Sequence, residues 1–360
     1  MHLATVWNAC AAWKVVLTGG SSAPGLRVEH VAGDAAELLG RPGVLAVIGA
    51  RLGLPGSDRD AGSWHPGAFD IGLEPLSDVV HPLRQVLVSD APVERAVVGG
   101  LPVVMNGSHL FASVVMTPGV PTAEAAEAAY DSLLSTVTQL GYPHLVRAWN
   151  YLRGITDGDG DHECYRQFCV GRHSSFLRFG KTSPYPAASA LGFRSGASRV
   201  GLLASQGPVT CVENPAQVSA FRYPRSYGPV SPSFSRAGLL STRAGDVLFV
   251  SGTAAIIGHA SMHEGDVAAQ MLASLNNVEV VVRAAGLAEE DLLARDDDGG
   301  VALQLRIYVR RREDFEIARD AFQARVRRPC SVEWLQGDVC RRELLVEVEA
   351  VLCRSGTLCR

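Results

Sequence analysis

The chain has 360 residues, 47% of them hydrophobic and 19% charged, with a formal net charge of −4. That is enough apolar material for a large core and enough length for two domains of ordinary size. Acids and bases are interspersed, leaving no basic footprint for nucleic acid or an anionic membrane, and no run approaches the roughly 18 apolar residues of a membrane span, so the expected partner is a small molecule.

The opening stretch MHLATVWNACAAWKVVLTGG lacks a basic region ahead of its apolar part and carries Lys14 inside it, which argues against a secretory signal and for the cytoplasm. Cysteines at 10, 164, 169, 211, 330, 340, 353 and 359 form no C-x-x-C pair, the pattern of reduced thiols rather than of a disulfide framework or zinc site. Further on, AEAAYDSLLSTVTQLGYPHLVRAWNYLRGI predicts an amphipathic helix that stops at Gly141 and then a strand. On that strand Val146, Ala148 and Asn150 share one face, and Arg147, Trp149 and Tyr151 the other. ECYRQFCVGRHSSF reads as a second helix and SRVGLLASQGPVTCVE as an apolar strand. About 150 residues later the same grammar returns. A helix stops at Gly286, a loop runs through Asp296 to Gly300, a strand covers 301–309, DFEIARDAFQARVRR is helical, and LLVEVEAVL is a strand. Two copies of a mixed unit of roughly 120 residues, each with helices on one face of its sheet, define an α/β (α+β) fold. The expected domains are 1–215 and 216–360.

Between the copies lies ENPAQVSAFRYPRSYGPVSPSFSRA, where Pro215, Pro224, Pro229 and Pro232 exclude a regular helix. Its aromatic and arginine content is unlike a flexible spacer and suits an ordered loop over a pocket.

Several groups are candidates for chemistry. In GDVLFVSGTAAIIGHASMHEGD a strand breaks at Ser251-Gly252-Thr253, where a glycine lets a ligand approach the backbone. His259, His263 and Glu264 do not have the spacing of a zinc helix, and Asp266 reads as a cap for the helix starting at Val267. Arg166 and Arg172 share a helix with Tyr165, Gln167 and Cys169; guanidinium forks beside tyrosines suit a substrate with two carboxylates. In GDVCRRELLVEVEA, alternation puts Leu344, Val346, Val348 and Ala350 on one side and Leu345, Glu347, Glu349 and Val351 on the other. The two glutamates either face water on a one-sided sheet or, in the sharper reading, Glu347 is a pocket acid with Cys340 at the pocket wall and Glu349 nearer the rim.

SPSFSRAGLLSTRAGDVLFVSGTAAI, with the closing VEVEAV, resembles the reactive-intermediate deaminase (RidA/YjgF) family, a chorismate mutase-like fold. NYLRGI, YRQFCVGR, ENPAQVSAFRYPRSYGP, YVRRRED and DVCRRELLVEVE together resemble the chorismatases, enzymes of two such units that cleave the enol ether of chorismate. The likeness covers about residues 125–352. It implies Glu347 and Cys340 as catalytic residues, and Tyr165, Arg172, Tyr223, Tyr227, Phe234, Arg236, Gly252 and Thr253 as substrate-binding ones. It implies no metal or organic cofactor, no nucleic acid or membrane partner, and a monomer or a homo-oligomer such as a trimer. Glycine at 252 and cysteine at 340 are similar to the subtype that makes 3-hydroxybenzoate and pyruvate. The alternatives are a hydrolytic chorismatase giving a dihydroxycyclohexadiene carboxylate, a mixed 3-/4-hydroxybenzoate synthase, an enamine or imine deaminase, and a non-catalytic binding module.

Overall fold

The structure, a computed structural model, describes residues 24–54, 65–77, 82–288, 291–294 and 300–355. The opening stretch, Cys10, Cys359 and Asp296 lie outside the described residues. The chain begins with a four-stranded sheet in which Leu26–Ala32, Leu83–Ser89, Val44–Gly49 and Ala68–Asp70 follow in lateral order. A short helix, α1 (Ala35–Gly40), packs on it, with the Asp34 carboxylate accepting from the amides of Ala36 and Glu37.

The two predicted repeats then appear as two seven-stranded sheets of one plan. In the first, the hairpin Leu101–Met105/His109–Val115 leads into helix α2 (Thr122–Gln139), strand His144–Arg153, helix α3 (Cys164–Arg178), and strands Ala187–Phe193 and Arg199–Ser205. In the second, the hairpin Ala237–Thr242/Gly245–Ala254 leads into α4 (Val267–Ala284), strand Val301–Val309, α5 (Phe315–Arg325), and strands Ser331–Gln336 and Val346–Ser355. The lateral orders correspond strand for strand, with the strands before and after the second helix of each unit parallel and their other neighbours within the unit antiparallel. This equivalence of topology establishes the duplication that the repeated sequence grammar suggested. The helices of each unit bury one face of its sheet: Ala126, Ala129, Leu133 and Val137 of α2 against Leu110, Ala148 and Leu202, and Met271, Leu275, Val278 and Val282 of α4 against Leu248, Leu305 and Val348. Asp266 caps α4 through the Ala269 amide, as expected.

One face assignment needs correction. The ladder between His144–Arg153 and Arg199–Ser205 slips so that Leu203 faces Arg147 and Ala204 faces Leu145, leaving Val146 as an extra residue. Val146 therefore packs with Trp149 and Tyr151 rather than with Ala148 and Asn150.

The remaining strands exchange between units. Asp338–Val339 pairs with Ala187–Phe193 in the first sheet, while Glu74–Pro75 pairs with Ser331–Gln336 and Thr210–Val212 with Ala237–Thr242 in the second. The faces without helices converge on one interior, where Trp149, Tyr151, Phe249 and Tyr308 meet Leu45, Ile48 and Phe69 of the four-stranded sheet. The early residues, whose role the sequence left open, thus fill the space between the repeats. Two polar pairs lie in that interior: Arg306 Nε donates to Glu333 at 2.6 Å, and the Tyr151 and Tyr308 hydroxyls lie 3.0 Å apart.

Candidate active site

A cavity of about 300 Å³ opens where the two units and the proline-rich loop meet. That loop is ordered, turning through Ala220–Arg222 and Arg225–Tyr227, and it contributes Tyr223, Tyr227, Phe234 and Arg236 to the walls. The first unit contributes Glu163, Tyr165 and Arg166; the second contributes Gly252, Ala254, Cys340, Arg341 and Glu347.

Glu347 lies on the strand Val346–Ser355 and is 4% exposed, so the reading in which it simply faces water is excluded. Burial first, and the neighbouring Glu349 second, push its carboxyl up to about 8, against the opposing pull of Arg147, Arg310 and Arg236. The acid therefore carries its proton at neutral pH. Glu349 is not at the rim: it is also 4% exposed and pairs with buried Arg147 at 3.1 Å, beneath the cavity floor. Strand alternation makes the two glutamates share a face, and that face points into the molecule because the four-stranded sheet covers it further along.

Gly252 owes its place to a bulge. Along the Gly245–Ala254 strand, Val250 faces Ala350 and Thr253 faces Val348, so Ser251 and Gly252 together stand opposite Glu349. The Ser251 hydroxyl accepts from the Ala188 amide at 2.9 Å and donates to the Ser235 carbonyl at 2.6 Å, tying the sheets together. A Cβ built on Gly252 would fall 1.8 Å from Glu347 Oε1, so the missing side chain makes room for the acid itself. Thr253 needs correction as a substrate contact. It is 3% exposed, forms no part of the cavity wall, and donates its hydroxyl to the Ser251 carbonyl at 2.7 Å.

Cys340 is carried in by the exchanged strand, which ends at Val339. Burial, then Glu347, pushes its thiol up to about 12, so it stands in the pocket as a neutral S–H rather than a thiolate nucleophile. Arg236 donates Nη2 to the Tyr223 hydroxyl at 2.8 Å and to the Val218 carbonyl at 3.0 Å. Arg341, which the sequence reading passed over, places its guanidinium 4.0 Å from the Tyr227 ring centroid and donates to the His259 carbonyl at 2.9 Å. Its signal was its position next to Cys340 in DVCRRE. Arg172 does not reach the main cavity; it lines a small annex below it together with Ser189, Tyr165 and Glu347. Ser189, within a run of small apolar residues, gave no sequence signal.

The arrangement is a neutral acid facing an aromatic, cation-rimmed cavity. Residues 85–204 match the family described as Chorismatase FkbO/Hyg5-like, N-terminal. A 3-hydroxybenzoate synthase from Streptomyces hygroscopicus is 36% identical over 79% of this chain and 86% of its own length. A chorismatase from Streptomyces rapamycinicus is 35% identical over 92% of this chain and 98% of its own. The chain belongs to the chorismatase family. A chorismatase crystal structure at 1.08 Å resolution superposes with a TM-score of 0.78 at 32% identity, spanning 92% of this chain and 98% of that one. Among the described residues of this chorismatase, no helix is long and apolar enough to cross a membrane.

Proposed function

We propose that the protein cleaves chorismate to 3-hydroxybenzoate and pyruvate in the cytoplasm, with units 1–215 and 216–360 each supplying one wall of the site. The observation that carries this reading is the Glu347 carboxyl, held up to about 8 at the floor of a cavity rimmed by Arg166, Arg236 and Arg341. An enol ether is cleaved by protonating its methylene carbon, which needs a neutral acid at neutral pH. Glu347 gives its proton to that carbon, and the side chain becomes an oxocarbenium ion. The neighbouring ring hydroxyl oxygen attacks the carbon that bears the ether oxygen, and that bond breaks to release pyruvate. The oxygen now bridges both carbons; its bond to its original carbon opens, and the carbon that bore the ether loses its proton to the Glu347 carboxylate, which gives the phenol. Atoms balance without water. The neutral Cys340 thiol lies against the ring and excludes water from the carbon under attack. Tyr223, Tyr227 and Phe234 hold the ring between them.

Incubation of purified protein with chorismate, followed by chromatography and mass analysis, tests the reading. Equal amounts of pyruvate and 3-hydroxybenzoate are expected, undiminished by a chelator. A dihydrodiol as main product would move the chain to the hydrolytic subtype, and loss of activity restored only by a divalent ion would remove the mechanism.

A further inference from the structure

The motif YVRRRED places Arg310 directly after the strand Val301–Val309, with its side chain largely buried. The loop that carries Cys340 wraps its guanidinium. Nη2 donates to the Val339 carbonyl at 2.8 Å and to the Arg341 carbonyl at 2.7 Å, Nε to the Leu344 carbonyl at 2.9 Å, and Nη1 to Asp338 Oδ1 at 3.1 Å. The two hydrogens of one nitrogen thus grip the carbonyls on either side of Cys340. Among the described residues the Cys340 thiol makes no hydrogen bond of its own. Its place in the cavity wall is therefore set by the backbone that bears it and by packing on the cluster of Ala254, Ile256 and Leu344. Arg310 forms no part of the active-site wall; with Gly337 and Asp338 it lines a second cavity, of about 160 Å³.

We propose that Arg310, oriented by Asp338, is a positioning residue for product choice: its grip on the backbone around Cys340 keeps the thiol against the ring and water off the cation. This rests on the chorismate-cleaving reading. With the grip loosened, water adds to the oxocarbenium carbon and gives up a proton to the Glu347 carboxylate. The hemiketal so formed collapses, its hydroxyl proton passing to the ether oxygen, and yields pyruvate and a non-aromatic dihydrodiol. Pyruvate release continues while the share of 3-hydroxybenzoate falls. Arg310 acts here through Cys340 and touches no substrate atom.

Two variants of the full chain test this. Arg310→Lys keeps the charge that pulls on Glu347 and loses the fork, and Asp338→Asn keeps the shape and loses the charge that orients the fork. In both, Gln270 still holds the far end of the loop, donating to the Glu343 carbonyl at 2.9 Å and accepting from the Leu345 amide at 2.7 Å. Two quantities are read: the ratio of dihydrodiol to 3-hydroxybenzoate, and the rate at which N-ethylmaleimide labels Cys340, with buried Cys169 as the reference for general loosening. Arg310→Lys is expected to raise the ratio about 10-fold or more and Asp338→Asn about 3-fold. Each should label faster at Cys340 and at an unchanged rate at Cys169. If Arg310→Lys does not fold, Asp338→Asn carries the test. A wild-type ratio in a folded variant overturns the proposal, as does Cys169 labelling that rises in step with Cys340. Wild-type protein that leaves chorismate intact, while the substitutions open Cys340 alone, would refute the parent reading and keep Arg310 as the holder of the loop. Chorismate turnover with ratio and labelling both unmoved would do the reverse.

Discussion

Glu347 holds its proton because water is excluded and a second glutamate lies two residues along the same strand face. Its folded value is raised, so the acid form prevails below about 8 and is lost as pH rises through that point. The kcat/KM of the wild-type protein should therefore fall on the alkaline side with a midpoint near 8, measured as pyruvate release from pH 6 to 10. Glu347→Gln keeps the shape without the proton and should lower kcat by about 10² to 10⁴ with unfolding little changed. Glu349→Gln acts differently. It removes a like charge from beside Glu347 and frees Arg147 to favour the carboxylate, so the alkaline limb should move to lower pH. It also leaves Arg147 buried without its partner, a loss of about 3–5 kcal/mol in a denaturant titration. An unmoved limb would mean that burial alone sets the acid. Of these relations, the shared face of the two glutamates was legible in the strand alternation. Their burial was not, because it depends on a sheet built from residues 24–89 that carries no local sign of where it packs.

At the scale of elements, the strands and helices of both repeats were readable from periodicity and from the glycines that end them, such as Gly141 and Gly286, whose φ values are +80° and +70°. The ladder slips at Val146 and at Ser251-Gly252 were not readable, since a bulge is fixed by the partner strand and leaves the residue pattern of its own strand intact. The second slip sets the chemistry. It turns Gly252 toward Glu347, and the space left by the missing side chain is room for the acid. Gly252→Ala should push the flexible end of Glu347 aside. Slower pyruvate release is expected, with a larger share of non-aromatic dihydrodiol as water reaches the displaced cation. A product ratio and rate equal to wild type would show that the carboxyl has slack in the pocket.

Across the whole molecule, the duplication is plain in sequence, whereas the exchange of edge strands is not, because two-residue strands such as Asp338–Val339 and Glu74–Pro75 have no periodicity to read. Those short strands close sheet edges that would otherwise be open. A protein ending at residue 215 would leave the edge of Ala187–Phe193 without Asp338–Val339, and should associate or precipitate where the full chain does not. Size-exclusion chromatography at matched concentration checks this, and a well-behaved monomeric fragment would show the first unit to be self-sufficient.

The same exchange has a consequence for how the molecule is made. Gln304 Nε2 donates to the Val28 carbonyl, 276 positions earlier, and Arg312 Nη2 to the Pro75 carbonyl, 237 positions earlier. On a ribosome that adds about 5 to 20 residues per second, the early sheet waits on the order of 10 s or more for the strands that cover it. Contacts so distant along the chain also close slowly once available. The nascent chain must therefore spend much of its synthesis with the part of that apolar face that meets the second unit uncovered, and its yield in a cell will be governed by what shields that part until the last strand arrives.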